Sequence, residues 1–300
     1  MVMTGGRNLV AAPTRTPLSY GLFSVSQTPV ETDEHWQMGV RFEPDACTPA
    51  QVTIEVCPAT GSPEAKVPTG VWETRAANPF TVYSMPVCGP VGNWDEYEAR
   101  VVAALTNGEA RAVEFEFWTG TRGTLPHLAE DTGVTGSPFP GTVEIEQTAA
   151  VTITGSPVDI VEGVGLLEGA LAECYGHEGV LHVPPEALAH LTSQTLVTKD
   201  GVRLRSPAGH LVAAGAGYPG TAPDGSGPTG GVFWLYATGA VAVRRGPIQV
   251  TRPLVEALDR ARNDVVLVAE RTYVIGWDCC HFAVPVRLGG IPTGAVGGSS

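Results

Sequence analysis

Sulfur and imidazole are the groups in this 300-residue chain whose spacing could carry chemistry. Cys174 stands just ahead of His177 and His182, and Cys280 directly precedes His281. A thiol beside an imidazole is the minimum for a cysteine nucleophile and its general base, the machinery of a cysteine hydrolase. The surrounding pattern argues against it. Cys174 falls on the apolar stripe of a predicted helix, where an inert core thiol is expected. Cys279, Cys280 and His281 fall in a predicted strand, whose successive side chains point to opposite faces. No motif gathers an acid, a base and an oxyanion donor around either thiol. His177, His182, His190 and His210 match no common zinc spacing, and His190 is expected to face solvent on a helix. The Gly215 to Gly220 stretch, GAGYPG, holds a GxG without the GxGxxG of a dinucleotide loop and reads as a turn. The sequence therefore predicts no catalytic, cofactor-binding or metal-binding residues.

Composition narrows the classes further. The 18 Lys and Arg against 31 Asp and Glu leave a net charge of -13. Phosphate neutralisation needs clustered cations, so the composition argues against a nucleic-acid-gripping surface. Lys occurs only at Lys66 and Lys199. The six Cys (Cys47, Cys57, Cys88, Cys174, Cys279 and Cys280) form no CxxC pair. With no signal-peptide pattern at the N-terminus, they are expected to be buried, reduced thiols in a cytosolic setting. No run approaches the roughly 18 apolar residues of a membrane span.

The elements that would position these groups form an α+β order. Residues 1–30, rich in Pro, Thr, Ser and Gly, read as an extended arm rather than a packed element. Met38 to Pro44 and Gln51 to Cys57 alternate apolar and polar residues around a turn-rich tip at Pro58 to Gly70, and strand character resumes to Val87. A long protruding hairpin is the simplest reading, and it must rest on another surface because a two-stranded ribbon is marginal alone. Asn93, with Glu96 three residues on, caps a predicted helix bearing Trp94, Tyr97, Val101 and Leu105 on one face. Asn107-Gly108 ends or kinks it, and Glu109 to Trp118 fits helix better than strand. Residues 119–155, rich in Gly, Thr and Pro, are expected on the surface. Ser156 as cap, Pro157 in the first turn and Asp159 as the acid near the positive end open a second helix whose stripe is Ile160, Val164, Leu167, Leu171 and Cys174, ending at Gly176. A buried strand (Gly179 to Val183), a helix (Pro184 to Ser193) and a strand from His210 complete a small α/β unit. Residues 219–230 form a surface loop. Beyond it, Val-, Tyr- and Trp-rich strands run from Gly231 to Leu288, interrupted by a short helix-like spacer.

This order resembles the major capsid proteins of tailed bacteriophages with the Hong Kong 97-type fold. The carrying stretches are WDEYEARVVAAL, similar to a spine helix, and SPVDIVEGVGLLEGALAECYGHEGVLHVPPEALAHL, similar to an axial domain. FWLYATGAVAVRRG resembles the return to a peripheral domain. NDVVLVAERTYVIGWDCCHFAVPV resembles the closing strands, with the pair Glu270-Arg271 ahead of the last strand. WLYATGAVAVRRG and AERTYVIGWDC look most like capsid proteins of phages infecting actinobacteria. The resemblance spans most of residues 20–290 and implies an N-terminal arm (1–35), an extended hairpin loop (36–87), a spine helix with a peripheral segment (88–155), an axial domain (156–230), and a return to the peripheral domain with closing strands (231–300).

The function so implied is structural. Copies would form hexamers and pentamers of an icosahedral shell, assembled in the bacterial cytoplasm around double-stranded DNA held without specific binding. An acidic lining suits that role because it repels phosphate. No long charged helix precedes the arm, so a separate scaffolding protein is implied, or none is needed. A portal and a decoration protein are further expected partners. Some members of the family carry an isopeptide bond between a Lys on the extended loop and an Asn on a neighbour. Lys66 and Asn263 are the candidates for it here, although Lys66 also reads as a solvated Lys beside a turn. An encapsulin-like cargo compartment shares the fold and is the alternative shell.

Overall fold

The computed structural model describes residues 15–16, 18–29, 34–44, 47, 50–52, 66, 73–88, 94–136, 144–251, 258–259 and 264–289. Leu22–Val25 forms a one-turn helix, α1, and His35–Met38 a 3-10 turn. Strands β1 (Val40–Phe42), β2 (Thr74–Ala77), β3 (Pro79–Ser84) and β4 (Val87–Cys88) precede the long helix α2 (Trp94–Thr119). Next come β5 (Val134–Gly136), β6 (Glu144–Gln147) and β7 (Val151–Thr152). The middle of the chain holds α3 (Ile160–Cys174), β8 (Val180–Val183), α4 (Pro185–Ser193), β9 (Thr198–Asp200), β10 (Arg203–Arg205) and β11 (Leu211–Ala214). The last part supplies β12 (Val232–Thr238), β13 (Val241–Arg245), β14 (Gln249–Thr251), β15 (Leu258–Asp259), β16 (Asp264–Val266), β17 (Val268–Trp277) and β18 (His281–Arg287).

A seven-stranded mixed sheet, ordered β7-β18-β12-β8-β11-β10-β9, forms the centre. Its inner strands are buried on both faces, as their near-continuous apolar sequences require. Along β8, β11 and β12 alternate residues join two different cores. Leu181, Val183, Val212, Leu235 and Ala237 pack with the α3 stripe and with Ala187 and Leu191 of α4. Val180, Leu211, Ala213 and Tyr236 pack with Leu22 of α1, with Val113, Phe117 and Trp118 of α2, and with Tyr273, Ile275 and Trp277 of β17.

Helix α2 connects two cores by an arithmetic of fours. Tyr97, Val101, Leu105, Glu109, Val113 and Phe117 are all buried at i+4 spacing. Each step of four advances about 40° around the helix, so the buried stripe winds along it. Tyr97, Val101 and Leu105 meet Leu267 and Ala269, whereas Val113 and Phe117 reach the central core. The helix runs unbroken through Gly108 to Thr119, so Glu109 to Trp118 is helical as expected. Asn93 and the side chain of Trp94 lie outside the described residues.

Strand β17 is the hub of a second sheet, pairing antiparallel with β3, β13 and β14. It also carries Glu270 and Arg271, so that charged pair lies within a strand. The expected hairpin is present at its base, where β1 pairs antiparallel with β2 (Val40 opposite Ala77). It rests on β6, which pairs with β2. The strand expected to run through Gln51 to Cys57 and most of the tip at Pro58 to Gly70 lie outside the described residues. Of the expected helix-like spacer, the described parts, Thr251 and Leu258–Asp259, are strand.

Three further expectations change. Residues 20–27 are packed rather than an extended arm: Leu22 and Val25 are buried, and Gln27 bridges to Ala242. The second helix is capped by Asp159 rather than Ser156, its carboxylate accepting from the amides of Val161 (2.8 Å) and Glu162 (3.0 Å). An acceptor one residue before the helix reaches these orphan amides, and Ser156 sits too far upstream. Part of 119–155 is interior, because Thr124, His127, Leu128 and Ala129 are buried. Their backbone is satisfied partly by α2, whose Phe117 and Trp118 carbonyls accept the amides of Leu128 (3.0 Å) and Ala129 (2.8 Å), and partly by side chains. Glu116 accepts from the amides of Arg122 (2.9 Å) and Thr124 (3.4 Å), and Gln147 bonds both the amide (2.7 Å) and carbonyl (3.0 Å) of His127. A buried loop without such partners would be costly.

Candidate functional site

The four cysteines whose side chains are described are committed to one another. Cys174 is disulfide-bonded to Cys280, and Cys47 to Cys279. This corrects the expectation of reduced thiols, and it also removes the thiolate a cysteine hydrolase needs. Cys279 and Cys280 occupy the connection between β17 and β18 rather than a strand, and Cys280 has a left-handed backbone (φ +60°). The pairings join positions 232 and 106 residues apart, which spacing in a sequence cannot reveal.

Four histidines, His127, His182, His210 and His281, are buried. His182 is fully buried in β8, between the Tyr218 hydroxyl (3.2 Å from Nδ1) and the Thr238 hydroxyl (3.0 Å from Nε2). Burial, reinforced by nearby His281, pushes its pKa down to about 3, so the ring is neutral. His281 is buried too, with Nδ1 2.8 Å from the Thr148 carbonyl, and burial lowers its pKa to about 4. His210 accepts the Gly179 amide at Nδ1 (3.1 Å). His177 is exposed and packs edge-on to Tyr175, and His190 is half-buried. Among the described residues no three His, Cys, Asp or Glu side chains are placed to hold a metal ion. Gly215 to Gly217 form a turn, as read, pressed so close to α2 that a Cβ on Gly217 would lie 2.2 Å from the Arg111 carbonyl oxygen.

Sequence reading missed three buried carboxylates on α2. Glu109 accepts two bonds from Arg271 Nη1 (2.9 Å each) and one from the Tyr273 hydroxyl (2.8 Å). Burial and this carboxylate push the Tyr273 hydroxyl well above its ordinary pKa. Glu114 accepts the amides of Leu22 (3.0 Å) and Gly217 (3.1 Å), tying α1 and the glycine turn to the helix, and burial raises its pKa. Glu116 holds the loop described above. In the segment EARAVEFEFW these acids look like the solvent face of a helix. The available signal was that Glu109 continues the i+4 stripe from Tyr97 to Phe117.

The groups that could do chemistry are thus used to join elements. Large apolar side chains remain exposed at Met38 (86%), Val52 (96%), Tyr83 (64%) and Val202 (73%). Lys66 is exposed, and Asn263 lies outside the described residues.

The chain is similar to the capsid of an empty GTA particle, with 13% identity, 96% of each chain covered and a TM-score of 0.55. It is similar to a chain of Microbacterium phage Oxtober96, at 10% identity over 95% of this chain and 96% of that one, with a TM-score of 0.51. The capsid of Ralstonia phage GP4 matches at 10% identity over 97% and 99%, also at 0.51. No protein-family model and no curated protein matches the chain. The fold is a mixed α+β fold matching Hong Kong 97-like capsid folds.

Proposed function

We propose that this chain is the major capsid protein of a tailed bacteriophage or a related particle, a subunit whose work is geometric and not catalytic. The single observation that carries the reading is the fold likeness to capsid chains over nearly the whole length of both partners. In this proposal α2 is the spine helix, and the excursion between β1 and β2 is the extended loop reaching a neighbour. The unit from α3 to β11 is the axial domain, with β12 and β18 completing its sheet. Strand β17 and its partners belong to the peripheral domain.

Copies would close into hexamers and pentamers and then an icosahedral shell around double-stranded DNA. Interfaces of about 1,000–2,000 Å² each are modest alone. Around a closed shell later contacts become effectively intramolecular, and the whole becomes strong. A net charge of -13 suits a wall that must not grip phosphate. Scaffolding, portal and decoration proteins are the proposed partners, and assembly would occur in the host bacterial cytoplasm. A bond between Lys66 and Asn263 of a neighbour is proposed as a covalent lock, and a ladder of multimers on boiled denaturing gels would report it.

Size-exclusion chromatography with light scattering and negative-stain microscopy tests the reading. Closed shells or capsomer-sized rings are expected. A stable monomer at every concentration, also when co-expressed with its neighbouring genes, would overturn it.

A further inference from the structure

One turn receives both disulfides seen among the described residues. Asp278, Cys279 and Cys280 join β17 to β18, and the two adjacent sulfurs reach in different directions. Cys279 holds Cys47, in the excursion between β1 and β2, and Cys280 holds Cys174, the last residue of α3. The turn has its own anchors. The Gly239 amide donates to the Cys279 carbonyl (2.8 Å), and the Asp278 amide donates to the Ala240 carbonyl (3.2 Å). The Tyr175 hydroxyl donates to Asp278 Oδ2 (2.6 Å) and accepts the Ala240 amide (3.3 Å). Position 279 is thus held without any sulfur bond. The position of residue 47 is another matter, because it belongs to no strand or helix.

Burial divides each pair. Cys279 and Cys280 are 1% and 7% exposed, whereas Cys47 and Cys174 are only half-buried. Cys47 and Cys174 are therefore the sides of the two bonds that small thiols would meet first, while the turn stays in the core. Access and thiolate chemistry, not unfolding, would then govern exchange.

We propose that the Cys279-Cys280 turn is a redox clasp, which low-molecular-weight disulfides close and thiols open while the chain remains folded. Closing proceeds by exchange. A protein thiolate attacks a sulfur of oxidised glutathione, forming a mixed disulfide and releasing one glutathione thiolate. The partner protein thiolate then attacks the protein sulfur of that mixed disulfide and releases the second. Each closure oxidises two Cys by two electrons, reduces one glutathione disulfide to two thiols and transfers two protons to them. Opening is the reverse, with dithiothreitol as reductant. The open clasp frees Cys47 from the turn between β17 and β18, and the closed one fastens it there. The clasp is a property of the single chain, whether or not shells form.

The test uses the full-length chain, reduced with dithiothreitol, desalted, and exposed to oxidised glutathione either folded or in guanidinium. Thiols are then trapped with N-ethylmaleimide and linkages read by peptide mass spectrometry. The folded chain should yield Cys47–Cys279 and Cys174–Cys280 as the dominant links, and the unfolded chain a mixture. Each closed bond should raise the folded-to-unfolded ratio by about 30-fold or more. Cys47→Ser should remove one increment and Cys174→Ser the other, with the second link intact in each. Dithiothreitol should reopen both bonds while far-ultraviolet circular dichroism holds steady. The same mixture from folded and unfolded chains, an unchanged ratio, or reopening only in denaturant would each overturn the clasp.

Discussion

Removing the Glu109 carboxylate isolates a buried charged joint between α2 and β17. Glu109→Ala leaves the Arg271 guanidinium, whose side chain is 14% exposed, without its bidentate partner. It also leaves the Tyr273 hydroxyl without an acceptor. Arg245 Nη1, 4.0 Å from Glu109 and half-exposed, can turn to solvent and adds little. Removing one member of a buried pair costs about 3–5 kcal/mol, most of it for stranding the other charge. A chain of 300 residues has an unfolding entropy near 0.6 kcal/mol/K by the usual per-residue value, so the melting temperature of the unassembled subunit should fall by about 5–8 °C. Replacing both partners, Glu109→Leu with Arg271→Met, removes the stranded charge and should recover most of that loss. Added salt should leave the deficit in place, since buried charges are weakly screened. Circular dichroism melts of the wild type, the single and the double variant decide the matter. A single variant within about 1 °C of wild type, or a double variant no better than the single, would refute the account of a stranded charge.

Other outcomes follow from the same geometry. His182 and His281 stay neutral when folded down to about pH 3 and 4, whereas unfolded histidines take up protons near pH 6.5. The unfolded chain then binds more protons, so stability should fall as pH drops from about 6.5 toward 4; a melting temperature flat across that window would contradict it. Gly108→Ala meets nothing within 4 Å and should stabilise α2 by about 0.5–1 kcal/mol in urea unfolding. Gly217→Ala should do the opposite by about 1–3 kcal/mol or more, because its Cβ would strike helix backbone at 2.2 and 2.6 Å. Asp159→Ala should cost about 0.5–2 kcal/mol through the lost cap, and Asp159→Asn should restore most of it.

Local physics was readable from residue order. The 4-3-4-3 stripe of α3, its stop at Gly176, the short strand at β8 and the start of α4 at the double proline depend on neighbours a few positions away. Glu109 to Trp118 is helical for the same reason, since the i+4 stripe passes through Gly108. Tertiary structure decided what depends on distant partners. Glu109 and Glu114 look like surface acids until Arg271, Leu22 and Gly217, roughly 90 to 160 positions away, supply their hydrogen bonds. Asp159 and Ser156 are both good caps by type, and only backbone geometry selects the first. The cysteines are the clearest case. Six thiols allow many pairings, and composition points to small buried hydrophobes. A single turn holding Cys279 and Cys280 beside Cys47 and Cys174 turns four of them into covalent joints. A sequence determines periodicity, caps and turns because these act over a few residues; burial and pairing across more than 100 residues exist only once the sheets have closed.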